Sequence, residues 1–176
     1  LVGSEMCIRD RLDTEYAGRA RCVFSTNAAI EEYALEADLV IGAVLVHGAA
    51  APKLLSTDLI KRMKKGAVVV DVAIDQGGCF ETSKATTHDK PTYIVHEIVH
   101  YCVANMPGGV ARTATMALNN ATLPYAIALA NDPINALFTN ANLQNGLNVH
   151  KGSVTYKAVA DALGYSYVPA DEALKV

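Results

Sequence analysis

Apolar residues along this chain follow two spacings, and the switches between them lay out its elements. From Asn27 to Ala37 the positions Ile30, Ala34 and Ala37 share one face, Ser25, Thr26 and Asn27 offer caps, and Glu31 and Glu32 sit in the opening turns. This spacing predicts a helix, which Asp38 stops. Leu39 to Val46 is then an unbroken apolar run between turn residues, the pattern of a parallel strand covered on both faces. Ser56 opens a second helix, Thr57 to Lys64, whose early Asp58 and late Lys61, Arg62, Lys64 and Lys65 suit the helix dipole before Gly66 ends it. Ala67 to Val72 is the next buried strand. Strand, helix and strand in that order make a βαβ unit, whose crossover is right-handed in nearly all known cases, so the fold class is α/β.

Tyr93 to Ile98 and Val99 to Ala104 extend the sheet as two short strands with a bend between them. Ala111 to Ala130 turns helical and long, and Pro124 inside it predicts a kink or break at Leu123-Pro124. Asn131 to Asn145 is helical or mixed, Val149 to Val154 a turn or small hairpin, and Lys157 to Leu163 a helix closed by Gly164.

With 176 residues, 51% of them hydrophobic, the chain can bury a core of one domain or a little more. A net charge of −3 leaves no basic stripe for nucleic acid or an acidic membrane surface. Asp38, Lys53, Asp71 and Asp75 interrupt the best apolar runs, none of which nears the roughly 18 residues of a membrane span. Cys7, Cys22, Cys79 and Cys102 form no C-x-x-C pair, which suits reduced, packed thiols in a cytoplasmic setting. Residues 1–11 lack the basic start and long apolar core of a secretory signal and are read as a non-native leader.

The chemistry concentrates where apolar runs end. In Asp71-Val72-Ala73-Ile74-Asp75-Gln76-Gly77-Gly78-Cys79-Phe80-Glu81 a strand delivers a carboxylate to a Gly-Gly turn. In Tyr101-Cys102-Val103-Ala104-Asn105-Met106-Pro107-Gly108-Gly109 a second apolar run ends in Asn, Pro and Gly. Ligands of open α/β sheets gather beyond the carboxyl ends of the strands, so two such ends suggest one crevice. Asp75 is the candidate acid, against a plain role in the turn; Asp71, within the strand, reads as an edge or solvent-facing residue.

These segments, with ADLVIGAVLV upstream and NNATLPYAIALA downstream, resemble the carboxyl-terminal half of alanine dehydrogenases from about Leu12 to about Leu163. The resemblance implies a partial Rossmann-type cofactor domain, a doubly wound parallel sheet, followed by a long helix and carboxyl-terminal pieces of a substrate domain. Its divisions would be 1–11 leader, 12–110 cofactor domain and 111–176 connecting helix and substrate-domain part. It also implies NAD as cofactor, with NAD over NADP resting on the resemblance alone, L-alanine and pyruvate as substrate and product, and a homo-hexamer. Asp75 matches an acid beside the nicotinamide ribose and the reacting carbon, preceded by the cofactor-contacting Val72, Ala73 and Ile74. Val103, Ala104, Asn105 and Met106 match a strand end against the nicotinamide, Val44 and Leu45 apolar residues around the cofactor rings, and Ser25 a cofactor-contacting serine. Taken singly, Val44 and Leu45 read better as strand core, and Ser25 and Asn105 equally well as caps. His47 stands where proline is common in the family.

Other readings compete. His96-Glu97-Ile98-Val99-His100 has the letters of a zinc hydrolase, but its β-branched and aromatic setting is extended, and on a strand four residues span about 13 Å, too far for both imidazoles to reach one ion readily. No metal site is expected. The NAD-binding subunit of a proton-translocating transhydrogenase is the nearest alternative, and a non-catalytic binding module the next. No G-x-G-x-x-G turn occurs in the sequence, and by resemblance the residues that bind the substrate carboxylate lie outside it, so the chain is expected to carry half a site and to be inactive alone.

Overall fold

The computed structural model describes residues 2, 3, 6–17, 19–46 and 50–175, with the side chains of Met6, Cys7 and Arg9 left out. It divides into two units, Leu1–Leu45 with Ala50–Met106, and Val46–Ala49 with Pro107–Val176.

In the first unit β1 (Val2–Gly3) pairs in parallel with β2 (Val23–Phe24), and α1 (Met6–Tyr16) lies between them in sequence. These elements occupy part of the stretch read as a leader. α2 (Asn27–Glu36) begins at Thr26, whose hydroxyl accepts the Ala29 N–H at 3.1 Å, so the cap is Thr26 and not Ser25. β3 (Leu39–Gly42), α3 (Thr57–Arg62) and β4 (Val68–Asp71) form the expected βαβ unit, with Ser56 capping α3 through the Leu59 N–H at 3.2 Å. A 3-10 helix follows over Val72–Gln76, and β5 (Thr92–Val95) and β6 (Ile98–Tyr101) complete a sheet of order β3-β4-β6-β5. β3, β4 and β6 run parallel, and β5 is antiparallel to β6.

β3 is shorter than its apolar run because its register uses up β4: Leu39 to Gly42 face Val68 to Asp71, and Ala43 to Val46 lie past the last pair. It is also covered on one face only. Val40 packs toward the core, whereas Leu39 and Ile41 stay 54% and 61% exposed. The core gathers Ala34 of α2, Leu59 and Ile60 of α3, Val69, Ile98, Leu55 and Phe80, and burial of each of its Val, Leu, Ile and Phe side chains contributes roughly 1.5–3 kcal/mol.

The bend between the last two strands falls at His96-Glu97, two residues earlier than the pattern placed it. Both residues have positive φ, 52° and 66°, and Val95 faces Ile98 across them. A two-residue connection with both φ positive matches the right-handed twist of paired strands, so the pair forms a hairpin.

In the second unit a 3-10 turn over Met106–Val110, which starts on the last residue of the first, leads into α4 (Ala111–Asn131). α4 stays helical through Pro124, so the break that the proline allowed for does not occur. The ring removes one donor, and the turns on either side keep helical geometry. Asp132 caps α5 (Pro133–Thr139) and Asn140 caps α6 (Ala141–Asn145). β7 (Val149–His150) and β8 (Ser153–Val154) form the small hairpin. α7 (Lys157–Leu163) ends at Gly164 in left-handed conformation, and α8 (Ala170–Ala173) is the last helix. Among the described residues no helix is long and apolar enough to cross a membrane.

Candidate functional site

Three neighbouring parallel strands release their chains at the same edge of the sheet, and the candidate residues of the first unit follow those releases. Val44 and Leu45 come after β3, Val72 to Asp75 after β4, and Val103 to Met106 after β6. Ser25 comes directly after β2, and its backbone N–H donates to Gly3 at 3.0 Å. Val44 is half-buried against the core, while Leu45 lies beyond the strand and is 57% exposed. His47 lies outside the described residues.

The segment after β4 carries the most chemistry. Asp75 sits exposed on the 3-10 helix, not on the strand, while Ala73 and Ile74 turn inward and offer a ligand only their backbone. Asp71 is fully buried, which corrects its reading as a solvent-facing acid. It shares the inward face of β4 with Val69. A buried carboxylate needs donors, and Asp71 has them. One oxygen accepts the Cys79 N–H at 2.8 Å and the Ser83 hydroxyl at 2.5 Å, and the other lies 3.4 Å from the Cys79 sulfur. Burial, then the Asp71 charge, pushes the Cys79 thiol up to about 12, so it is protonated and inert near neutral pH.

Gly77 and Gly78 both take left-handed backbone, with φ of 89° and 74°. The Lys53 ammonium donates to both their carbonyls, at 2.6 and 2.7 Å. Lys53 is brought there by a segment that runs beside the turn, where Ala51 N–H bonds the Gln76 carbonyl and Leu54 N–H the Cys79 carbonyl.

The end of β6 is braced in a similar way. Asn105 has φ of 56°, and its carbonyl accepts from His88 Nε2 at 3.0 Å. Thr86 N–H donates to Cys102 and Thr86 O accepts from Ala104 N–H, so the loop pairs with Val103 as a short parallel bridge. Val103 is buried, whereas Ala104 and Asn105 are exposed.

His96 and His100 do not share a helix face. His96 is in the hairpin turn and His100 is fully buried in β6, stacked on Tyr93 with ring centroids 5.0 Å apart. His100 Nδ1 lies 3.0 Å from the Ile98 carbonyl and so donates to it, which leaves Nε2 to accept the Thr82 hydroxyl at 2.7 Å. Burial holds this imidazole below its ordinary pKa, in keeping with that neutral tautomer. Both ring nitrogens are engaged within the protein.

The sequence model described as "Alanine dehydrogenase/PNT, C-terminal domain" matches residues 5–157, most of the chain. The chain belongs to this family. The alanine dehydrogenase of Halomonas elongata is 57% identical over 177 aligned residues, covering 96% of this chain and 48% of its own length. Alanine dehydrogenase 2 of Staphylococcus aureus (strain USA300) is 55% identical over 99% of this chain and 50% of its own length. A solved L-alanine dehydrogenase superposes with a TM-score of 0.79 at 46% identity, over 93% of this chain and 45% of that one. The transhydrogenase of Sinorhizobium meliloti, at TM-score 0.55 and 22% identity over 65% of this chain and 34% of its own, shares the fold. The chain thus spans about half the length of the relatives it matches.

Within this alanine dehydrogenase/PNT domain the candidate residues after β3, β4 and β6 collect at one edge of the sheet. Exposed Leu45 and Val72 present apolar surface at strand ends, and exposed Asp75 and Asn105 present polar groups at the same sheet edge. Lys53, Asp71 and His88 brace those segments; from the sequence, Lys53 and His88 carried no such role and Asp71 read as an edge or solvent-facing residue. Asp71 alone had a sequence signal, since it alternates in step with the core residue Val69.

Proposed function

We propose that this chain is the carboxyl-terminal half of an NAD-dependent alanine dehydrogenase that converts L-alanine to pyruvate and ammonia. The observation that carries this reading is 55–57% identity to alanine dehydrogenases across 96–99% of the chain. When bound, NAD supplies the acceptor for the α-hydrogen of alanine as hydride.

The chain's own residues would prepare that transfer. Asp75 would hold a hydroxyl or water beside the reacting carbon and stabilise positive charge as the amine becomes an iminium. Val44, Leu45 and Val72 would give apolar contact to the rings, and Ala73, Ile74, Val103 and Ala104 would offer backbone groups. Asn105, Met106 and Ser25 would complete the contacts. The working enzyme is a cytoplasmic homo-hexamer in this reading. The transhydrogenase reading draws on a likeness of fold, at lower identity.

The test joins this chain to the amino-terminal half of the Halomonas elongata relative and follows NADH production. L-Alanine-dependent reduction of NAD is expected, and Asp75→Asn should lower kcat by about 10²-fold with folding intact, the usual cost of losing a preorganised group at developing charge. Nucleotide-to-nucleotide hydride exchange without any response to alanine would favour the transhydrogenase instead. Near-normal turnover in Asp75→Asn would make Asp75 a residue of the turn only.

A further inference from the structure

We propose that Lys53 is a positioning residue for Asp75, fixing the turn that carries it from the side opposite Asp71; this rests on the dehydrogenase reading above.

The turn from Val72 to Gly78 has few bonds of its own. Gly77 N–H reaches the Ile74 carbonyl and Gly78 N–H the Ala73 carbonyl, both at 3.0 Å, which closes the 3-10 helix but leaves the carbonyls of Gly77 and Gly78 pointing out of it. Carbonyls past the end of a helical turn need a donor, and a cation suits them best. Lys53 gives two of its three N–H groups to these two oxygens, at 2.6 and 2.7 Å. A long exposed side chain is normally free to move, so two short charge-assisted bonds to adjacent residues mark a defined geometry.

Asp71 grips the same turn from within. Its carboxylate holds the Cys79 N–H, in the same peptide group as the Gly78 carbonyl that Lys53 holds, and the Ser83 hydroxyl further on. Asp75 therefore lies on a short arch pinned through Asp71 and Cys79 from within and through the Gly77 and Gly78 carbonyls by the Lys53 ammonium. Releasing Lys53 leaves the buried pin and the main-chain bonds from Ala51 to Gln76 and from Leu54 to Cys79, but unties the Gly77 and Gly78 carbonyls between them, which lets the Asp75 carboxylate shift without touching the core. Displacements of about 1 Å in a reacting group cost up to about 10²-fold in rate.

The experiment uses the joined enzyme described above, wild type and with Lys53→Met, Lys53→Arg, Asp75→Asn, and Lys53→Met with Asp75→Asn. If Lys53 positions Asp75, Lys53→Met lowers kcat by about 10- to 100-fold while the KM values for alanine and NAD stay within about threefold. Lys53→Arg, whose fork spans two carbonyls, restores most of the rate. The double variant is no slower than Asp75→Asn alone. A rise in KM for NAD at unchanged kcat would make Lys53 a cofactor ligand and overturn the proposal, as would losses that multiply in the double variant. A wild-type enzyme without alanine activity fails the functional reading instead. The clamp is then judged on the chain itself, where amide exchange of Ala73 to Cys79 should quicken about tenfold in Lys53→Met and not in Lys53→Arg; unchanged exchange overturns it.

Discussion

Gly77 and Gly78 look interchangeable as letters, yet their surroundings separate them. A Cβ on Gly77 would meet nothing within 4 Å, whereas one on Gly78 would stand 2.8 Å from an Asp71 oxygen and 2.8 Å from Ser83 Cβ. Both substitutions carry the left-handed penalty of roughly 1–2 kcal/mol. Gly78→Ala adds overpacking against a buried carboxylate, roughly 1–3 kcal/mol more. Urea unfolding of the chain should therefore place Gly78→Ala well below Gly77→Ala in midpoint, and equal midpoints would mean that Asp71 is not held as described. The two glycines beside Asp75 could be picked out from the sequence, but the division of labour around them could not. Asp71 was misread because acids are seldom buried without partners, and its partners stand 8 and 12 residues further on, in irregular backbone that leaves no periodic trace. Lys53 was missed for a related reason. Its acceptors are main-chain carbonyls 24 and 25 residues away, and carbonyls have no letter.

The β5–β6 hairpin carries a turn sequence that its geometry does not favour. His96 and Glu97 both hold positive φ, where Asn and Gly are the preferred pair. Replacing them by His96→Asn and Glu97→Gly should relieve that strain. The change removes the Glu97–Lys65 ion pair, whose side chains are 63% and 79% exposed and which is worth little in water. The Gly66 N–H bond to the carbonyl of residue 97 is main-chain and survives. The expected gain is roughly 0.5–1 kcal/mol, read as slower amide exchange of Tyr93 to Tyr101. Faster exchange would show that the His96 and Glu97 side chains hold the turn. The elements set by hydrophobic spacing and caps were the legible ones: β4, α3 from Ser56, and α7 up to Gly164 stand within a few residues of their predicted bounds. Elements set by pairing were not. β3 stops where β4 stops, and nothing in Leu39 to Val46 records the length of its neighbour.

Across the whole chain, the proposed nicotinamide contacts gather at the sheet's carboxyl edge, while the anionic centre of a dinucleotide calls for a glycine-rich turn and the amino end of a helix. No G-x-G-x-x-G occurs in the 176 residues. Contacts at Asp75, Asn105, Val44 and Leu45 would have to offset roughly 4–15 kcal/mol of association entropy on their own. Exposed apolar surface adds a competing outlet, since α4 buries none of its residues and leaves Met116, Leu118, Leu123 and Ile127 between 47% and 65% exposed. Surface of this kind promotes self-association. The chain alone is therefore expected to bind NADH only weakly and to produce no NADH from L-alanine. Calorimetric titration of the purified chain with NADH, alongside sedimentation to define its association state, measures both points. Micromolar binding by a monomer, or any alanine-dependent NADH, would show that the strand ends of this unit hold the cofactor without a pyrophosphate turn.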